Sequence, residues 1–138
     1  IHLCKKYIPK TDAMITVGWN IADEYNRNFG VLPEVITNAP GRQALQPVAT
    51  ANVIRLVHHG ICTPSRKIER MIEMMRLLPD HFELDLILMS PERSSPATIA
   101  YLEGLKKQAS FTDRIHFLPA VSIEEILPVL NQYDVGII

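Results

Sequence analysis

Apolar positions fall into four continuous runs in the second part of the chain: "VIRLVHHG" (53–60), "LDLILM" (84–89), "RIHFLPAV" (114–121) and "YDVGII" (133–138). None alternates strictly with polar residues, so each predicts a strand buried on both faces, as in a parallel sheet. The intervening segments carry helical periods. Thr63 is an N-cap candidate with Pro64 at the first helical position, and Ile68, Met71, Ile72 and Met75 then recur at three- and four-residue steps. Ser95-Pro96 opens a second helix, reaching about Ala109 through Ile99, Leu102 and Leu105. Ser122 and Glu125 have capping-box spacing and open a third, which Pro128 keeps short or bent. Strand and helix alternate as βαβαβαβ, half of a doubly wound parallel sheet.

The first part reads differently. "DAMITVG" (12–18) and "PEVITNAP" (33–40) are strands flanking a helix at "NIADEYNRNF" (20–29), which ends at Gly30. The stretch that follows is rich in Pro, Gly and small residues and has no apolar period. The pattern divides the chain into residues 1–40, a linker at 41–52, and residues 53–138. A strand-to-strand spacing of about thirty residues is the length of a βαβ unit, not of a solenoid repeat.

Composition narrows the partners. With 138 residues, 47% hydrophobic and 21% charged, the chain can bury a real core. A net charge of −1 leaves no field of one sign to attract nucleic acid or an anionic membrane. No apolar run reaches the ~20 residues of a membrane-spanning helix, and no secretion pattern opens the sequence. Cys4 and Cys62 stand far apart and in no ligand spacing, which favours a cytoplasmic setting over a disulfide scaffold.

Candidate chemistry gathers where the first strand of the second part meets its helix. Gly60 is placed to make a tight turn or admit a ligand to the backbone. Arg66 and Lys67 then fall in the helix's first turn, where the macrodipole is already positive. A bound phosphate would account for them, since ligands of open α/β sheets sit outside the carboxyl ends of the strands and an Arg fork binds phosphate oxygens in pairs. The alternative is a solvated charged face shared with Glu69, Arg70 and Glu73. Adjacent helical residues diverge, so at most one of the two cations is expected at the site.

His58 and His59 point to opposite strand faces and cannot grip one ion, so no metal is expected. One packs in the sheet and the other, His59, lines the crevice. Met71, Met74 and Met75 read as core filler, and the polar loop "SPERSSP" (90–96) is either a border of the site or ordinary surface. No nucleophile–base pair and no complete dinucleotide-binding glycine fingerprint is present.

In order and spacing, "DAMITVGWNIADEYNRNFG", "VITNAP", "IRLVHHG…SRKIERMIEMM", "FELDLILM" and "DRIHFLPAVSIEEILPVLNQYDVGII" resemble the retaining, nucleotide-sugar-using glycosyltransferases of GT-B fold. The resemblance makes residues 1–40 the end of the acceptor-side domain. It makes residues 53–138 the first, Rossmann-like half of the donor-binding domain. It implies that Arg66, with Lys67 second, binds the donor diphosphate and that Gly60 lets the backbone approach it. Pro119, Ala120 and Val121, with Ile126 nearby, would touch the nucleotide base. Met89-Ser90-Pro91 departs from the family, where a Gly-rich turn is common.

The implied substrates are a UDP- or GDP-linked sugar and a glycan or lipid-linked acceptor, with no cofactor and no metal. The family's donor-gripping carboxylates and acceptor-side catalytic groups have no counterpart in the chain, so an inactive internal fragment of a longer enzyme is expected. Two other readings stay open. One is a non-catalytic Rossmann-like interaction domain, self-associating through exposed sheet edges. The other is a sugar-nucleotide epimerase of related fold.

Overall fold

A computed structural model describes residues 2–89 and 95–138. The chain forms two compact units, residues 1–42 and 43–138, so the division falls at the start of the stretch read as a linker.

In the first unit, helix α1 (His2–Tyr7) buries no residue. Strands β1 (Ile15–Thr16) and β2 (Glu34–Val35) pair in parallel on either side in sequence of α2 (Trp19–Phe29). The helix ends where Gly30 turns left-handed (φ 68°) and its N–H reaches the Asn26 carbonyl at 2.9 Å, a conformation in which a side chain would be strained. Ala22 is the buried residue of α2. The strand–helix–strand order matches the sequence pattern, with each strand reduced to two paired residues.

The second unit holds the sheet. Strands β3 (Ile54–Ile61), β4 (Phe82–Met89), β5 (Ile115–Leu118) and β6 (Val135–Gly136) are all parallel, in the order β5-β4-β3-β6. Helices α3 (Ile68–Met74), α4 (Pro96–Ala109) and α5 (Ile126–Leu130) make the crossovers. The unit is thus α/β, with a four-stranded parallel sheet flanked by helices.

The two sheet faces differ. Leu56, Leu84, Leu86, Leu88 and Ile115 point to one side and pack with Ile68, Met71, Ile72 and Met75 of the α3 segment and Leu105 and Ala109 of α4. Each such side chain contributes ~1.5–3 kcal/mol on full burial. Ile126 of α5 covers part of the opposite face, near His59 and Met89. The connection from α3 to β4 is held by Arg114, whose guanidinium donates to the carbonyls of Pro79 and Phe82 at 3.0 Å and of Met75 at 3.2 Å.

A local signal sets the start of α4. The Ser95 hydroxyl accepts from the Thr98 N–H at 3.2 Å, with Pro96 opening α4. Ser122 accepts from the Glu125 N–H at 3.3 Å and its hydroxyl donates to the Glu125 carboxylate at 3.0 Å, which is half of a capping box, in a turn that precedes α5 rather than at its N-cap, Glu125.

Two expectations are corrected. Gly60 makes no turn: it lies within β3, in register with Leu88, and its φ is not positive, because hydrogen bonding to β4 carries the strand on to Ile61. The first helix does not begin at Thr63-Pro64 either. Pro64–Arg66 form a single 3-10 turn, Lys67 turns left-handed (φ 54°), and α3 starts only at Ile68. That break places Arg66 and Lys67 ahead of the helix rather than in its first turn. The linker stretch is not a free connection throughout, since the Gln46 carbonyl accepts from the Asn131 side chain at 2.8 Å.

Candidate functional site

The strand order creates one special boundary. The crossovers carrying α3 and α4 pack on one face of the sheet, whereas α5 lies on the other, so the chain changes sides between β3 and β6. Such a switch point opens a crevice at the carboxyl ends of the strands. Here β6 is fixed to β3 by main-chain bonds, Asp134 N–H to the Arg55 carbonyl at 2.9 Å and Ile137 N–H to the Val57 carbonyl at 2.8 Å. The Asp134 carboxylate also accepts the Arg55 N–H at 2.8 Å, and this bond holds it below the usual carboxylate range.

A groove of about 350 Å³ runs along this boundary between α3 and β6. It is lined by Arg66, Lys67, Arg70, Met71, Met74, Ile137 and Ile138. That volume lies within the range of small-ligand sites, ~300–1,000 Å³. Three cations and, among the described residues, no acidic side chain line it, and among the same residues none of the three forms an ion pair. The nearby acid, Glu69, is engaged elsewhere: it accepts the Tyr101 hydroxyl at 2.6 Å. That bond, with one from its own backbone N–H, lowers the Glu69 pKa, while burial and the carboxylate push Tyr101 up to about 12.

Both Arg66 and Lys67 reach the groove, contrary to the expectation that only one would. The cause is the left-handed turn at Lys67, which removes the helical divergence of neighbouring side chains. A non-glycine residue in this region costs ~1–2 kcal/mol, so the cations converge at some cost in backbone strain. Arg70, read in the sequence only as part of a charged face, belongs with them. No sequence signal marked it, because the break at Lys67 leaves Arg66 and Arg70 in no common helical phase.

The other expected residues divide between two places. His58 is buried on the α3 side of the sheet, and Gly60 lies beside it. His59 instead lines a small apolar slot of about 160 Å³ on the opposite face, with Met89, Val121, Ile123 and Ile126. Pro119 and Ala120 are exposed and do not line it. The structure therefore joins His59, Val121 and Ile126, and separately Arg66 and Lys67. Ser90 and Pro91 and most of the polar loop at 90–96 lie outside the described residues. Among the described residues no group of three or more His, Cys, Asp or Glu could hold a metal ion, and no helix is long and apolar enough to cross a membrane.

A polar cluster went unread in the sequence. Asp85, 6% exposed, accepts from Tyr133 Oη at 2.6 Å, His116 Nδ1 at 2.7 Å and Arg55 Nη2 at 3.2 Å. Arg55 also stacks over the Tyr133 ring at 4.5 Å, and burial together with Asp85 raises Tyr133 to about 12. The signal was the lone acid inside "LDLILM".

No protein-family model matches this chain, and no curated protein matches it in sequence.

Proposed function

We propose that residues 43–138 form the first half of the nucleotide-sugar-binding domain of a retaining, GT-B-type glycosyltransferase, and that the groove beside α3 receives the donor diphosphate. The observation that carries this reading is the convergence of Arg66, Lys67 and Arg70, with no acidic side chain lining the groove among the described residues, at the switch point of a parallel sheet. The motif order described above supplies the sugar-transfer part of the proposal. The parent enzyme takes a UDP- or GDP-linked sugar and a glycan or lipid-linked acceptor.

In that reaction negative charge develops on the departing diphosphate. Cations facing it stabilise the transition state more than the ground state, without a metal. Arg66 is assigned the principal contact, since its fork can hold two phosphate oxygens, and Lys67 and Arg70 add charge. The apolar slot at His59, Val121 and Ile126 suits a flat base edge. The unpaired thiols of Cys4 and Cys62 are in keeping with a cytoplasmic enzyme.

Calorimetric titration of the chain with UDP, GDP and ADP, repeated on Arg66→Ala, tests the proposal. Saturable binding should weaken by about tenfold or more in the variant, the effect of losing one charge-assisted hydrogen bond of ~1.5–3 kcal/mol. Equal affinity in both proteins, or no binding of any nucleoside diphosphate, overturns the assignment.

A further inference from the structure

Residues 46–53, which lead into β3, lie on the second unit as a strap. Asn131, which closes α5, donates its side-chain N–H to the Gln46 carbonyl at 2.8 Å. Asp134, directly ahead of β6, takes a side-chain hydrogen bond from Thr50. Arg55, two residues past the strap, commits both of its main-chain groups to the same Asp134. Its N–H donates to the carboxylate at 2.8 Å, and its carbonyl accepts the Asp134 N–H at 2.9 Å. The strap and β6 therefore share their fastenings.

These fastenings are polar and are not backed by packing. A cavity of about 200 Å³ remains at the strap, between Val48, Ala49, Ala51 and Val53 on one side and Tyr133 and Asp134 on the other. Val48 is 60% exposed. A segment with few buried apolar contacts and solvent-exposed hydrogen bonds opens at low free-energy cost. The strand it fastens is slight as well, since β6 offers β3 only two paired residues. Just beyond those two, Ile137 and Ile138 form a wall of the groove that holds Arg66, Lys67 and Arg70. Without that wall the three cations would face open water, where an ion pair gains little.

We propose that the strap regulates the groove through β6: fastened, it holds Ile137 and Ile138 in place as the groove's wall, and released, it lets β6 undock and the wall fall away. The inference rests on the anion-site reading above and adds regulation to it. The coupling needs no long pathway, because Asp134 precedes Ile137 by three residues of one short strand. It is also reciprocal: an anion that binds only the walled groove keeps β6 docked and the strap fastened. The strap is the stretch by which the chain enters the second unit from residues 1–42. The groove thus answers to the connection as well as to its own lining.

The test loosens the strap without touching the groove, in the 138-residue chain. Thr50→Val replaces one exposed hydroxyl by a methyl group, and Asn131→Ala removes the donor to Gln46; neither residue lines the groove. The readout is amide hydrogen exchange at Ile137, whose N–H bonds the Val57 carbonyl. In the double variant it should quicken by about tenfold, as for the loss of about one net hydrogen bond, while the amides of β4 exchange as in wild type. In wild type, pyrophosphate at about ten times its Kd should slow Ile137 exchange by about tenfold and slow thermolysin cleavage within 46–53 along with it. Ile137 exchange unchanged in the double variant overturns the strap's hold on β6. Pyrophosphate that binds by calorimetry yet slows neither exchange nor cleavage overturns the coupling and leaves the anion site standing. Pyrophosphate that does not bind wild type overturns the anion site, and with it the strap's regulation of a ligand.

Discussion

The two faces of the same four strands are built on different principles. Towards α3 and α4 the sheet is dry: Leu56, Leu84, Leu86 and Leu88 meet Ile68, Ile72, Met75 and Leu105, all nearly or fully buried. The contacts there are non-directional, and their strength follows area and fit. Towards the other side, Asp85 draws Arg55, His116 and Tyr133 from three different strands or their edges. Those contacts are directional and fix which side chain stands next to which. One face supplies most of the apolar burial, and the other ties β5 and Tyr133, ahead of β6, to Asp85 of β4.

The difference is measurable, and the largest effect belongs to the dry face. Leu86→Ala removes a side chain with 0% exposure and should cost about 3–4 kcal/mol in denaturant unfolding, as transfer and cavity effects add. Asp85→Ala should cost less, about 2 kcal/mol, because the side chains of Arg55 and His116 are each 42% exposed and can return to water once their acceptor is gone. Equal costs for the two variants would break the comparison, since the polar cluster would then carry as much stability as the core.

The smallest effect separates the faces by pH. Tyr101 bonds Glu69 on the dry side and Tyr133 bonds Asp85 on the polar side, and both are raised to about 12 from an ordinary 10. A raised pKa means that the folded state holds its proton longer. The stabilisation is fully present below pH 10 and is lost as pH climbs through about 12. Spectrophotometric titration should show two late-ionising tyrosines in wild type, and in Asp85→Ala one of them should ionise earlier than in wild type yet still late, because burial is the larger cause and the carboxylate the smaller. An unchanged Tyr133 in the variant would mean that burial alone, without the carboxylate, holds it protonated.

Much of the fold was legible because it rests on local signals that tertiary contacts reinforce. Continuous apolar runs gave the four strands of the sheet, and Ser95-Pro96 and the Ile68–Met71–Ile72–Met75 stripe placed two helices on it. The misreadings have a common physical cause. Gly60 looked like a turn because glycine permits one, yet pairing with Leu88 kept it extended. Thr63-Pro64 looked like a helix start, and the chain does turn there, but the left-handed Lys67 interrupts it. Of the candidate site, the cations and the division of labour between His58 and His59 could be read from charge placement and strand alternation. The groove could not, because Ile137 approaches Arg66 and Arg70 only through the pairing of β6 with β3.

That pairing has a consequence for how the protein comes to be folded. The contacts that bring β6 to β3, Arg55 to Asp134 and His58 to Ile137, each close a loop of 79 residues, against 30 for Arg55 to Asp85 between β3 and β4. Loop closure makes the longer one dearer by about 0.9 kcal/mol, and β6 brings only two paired residues to repay it, against eight for β4. The order of assembly follows: β3, α3 and β4 form the scaffold, and β6 docks last. The groove therefore comes into being at the final step, and a ligand that spans it would act as a clasp on a strand held by only two paired residues.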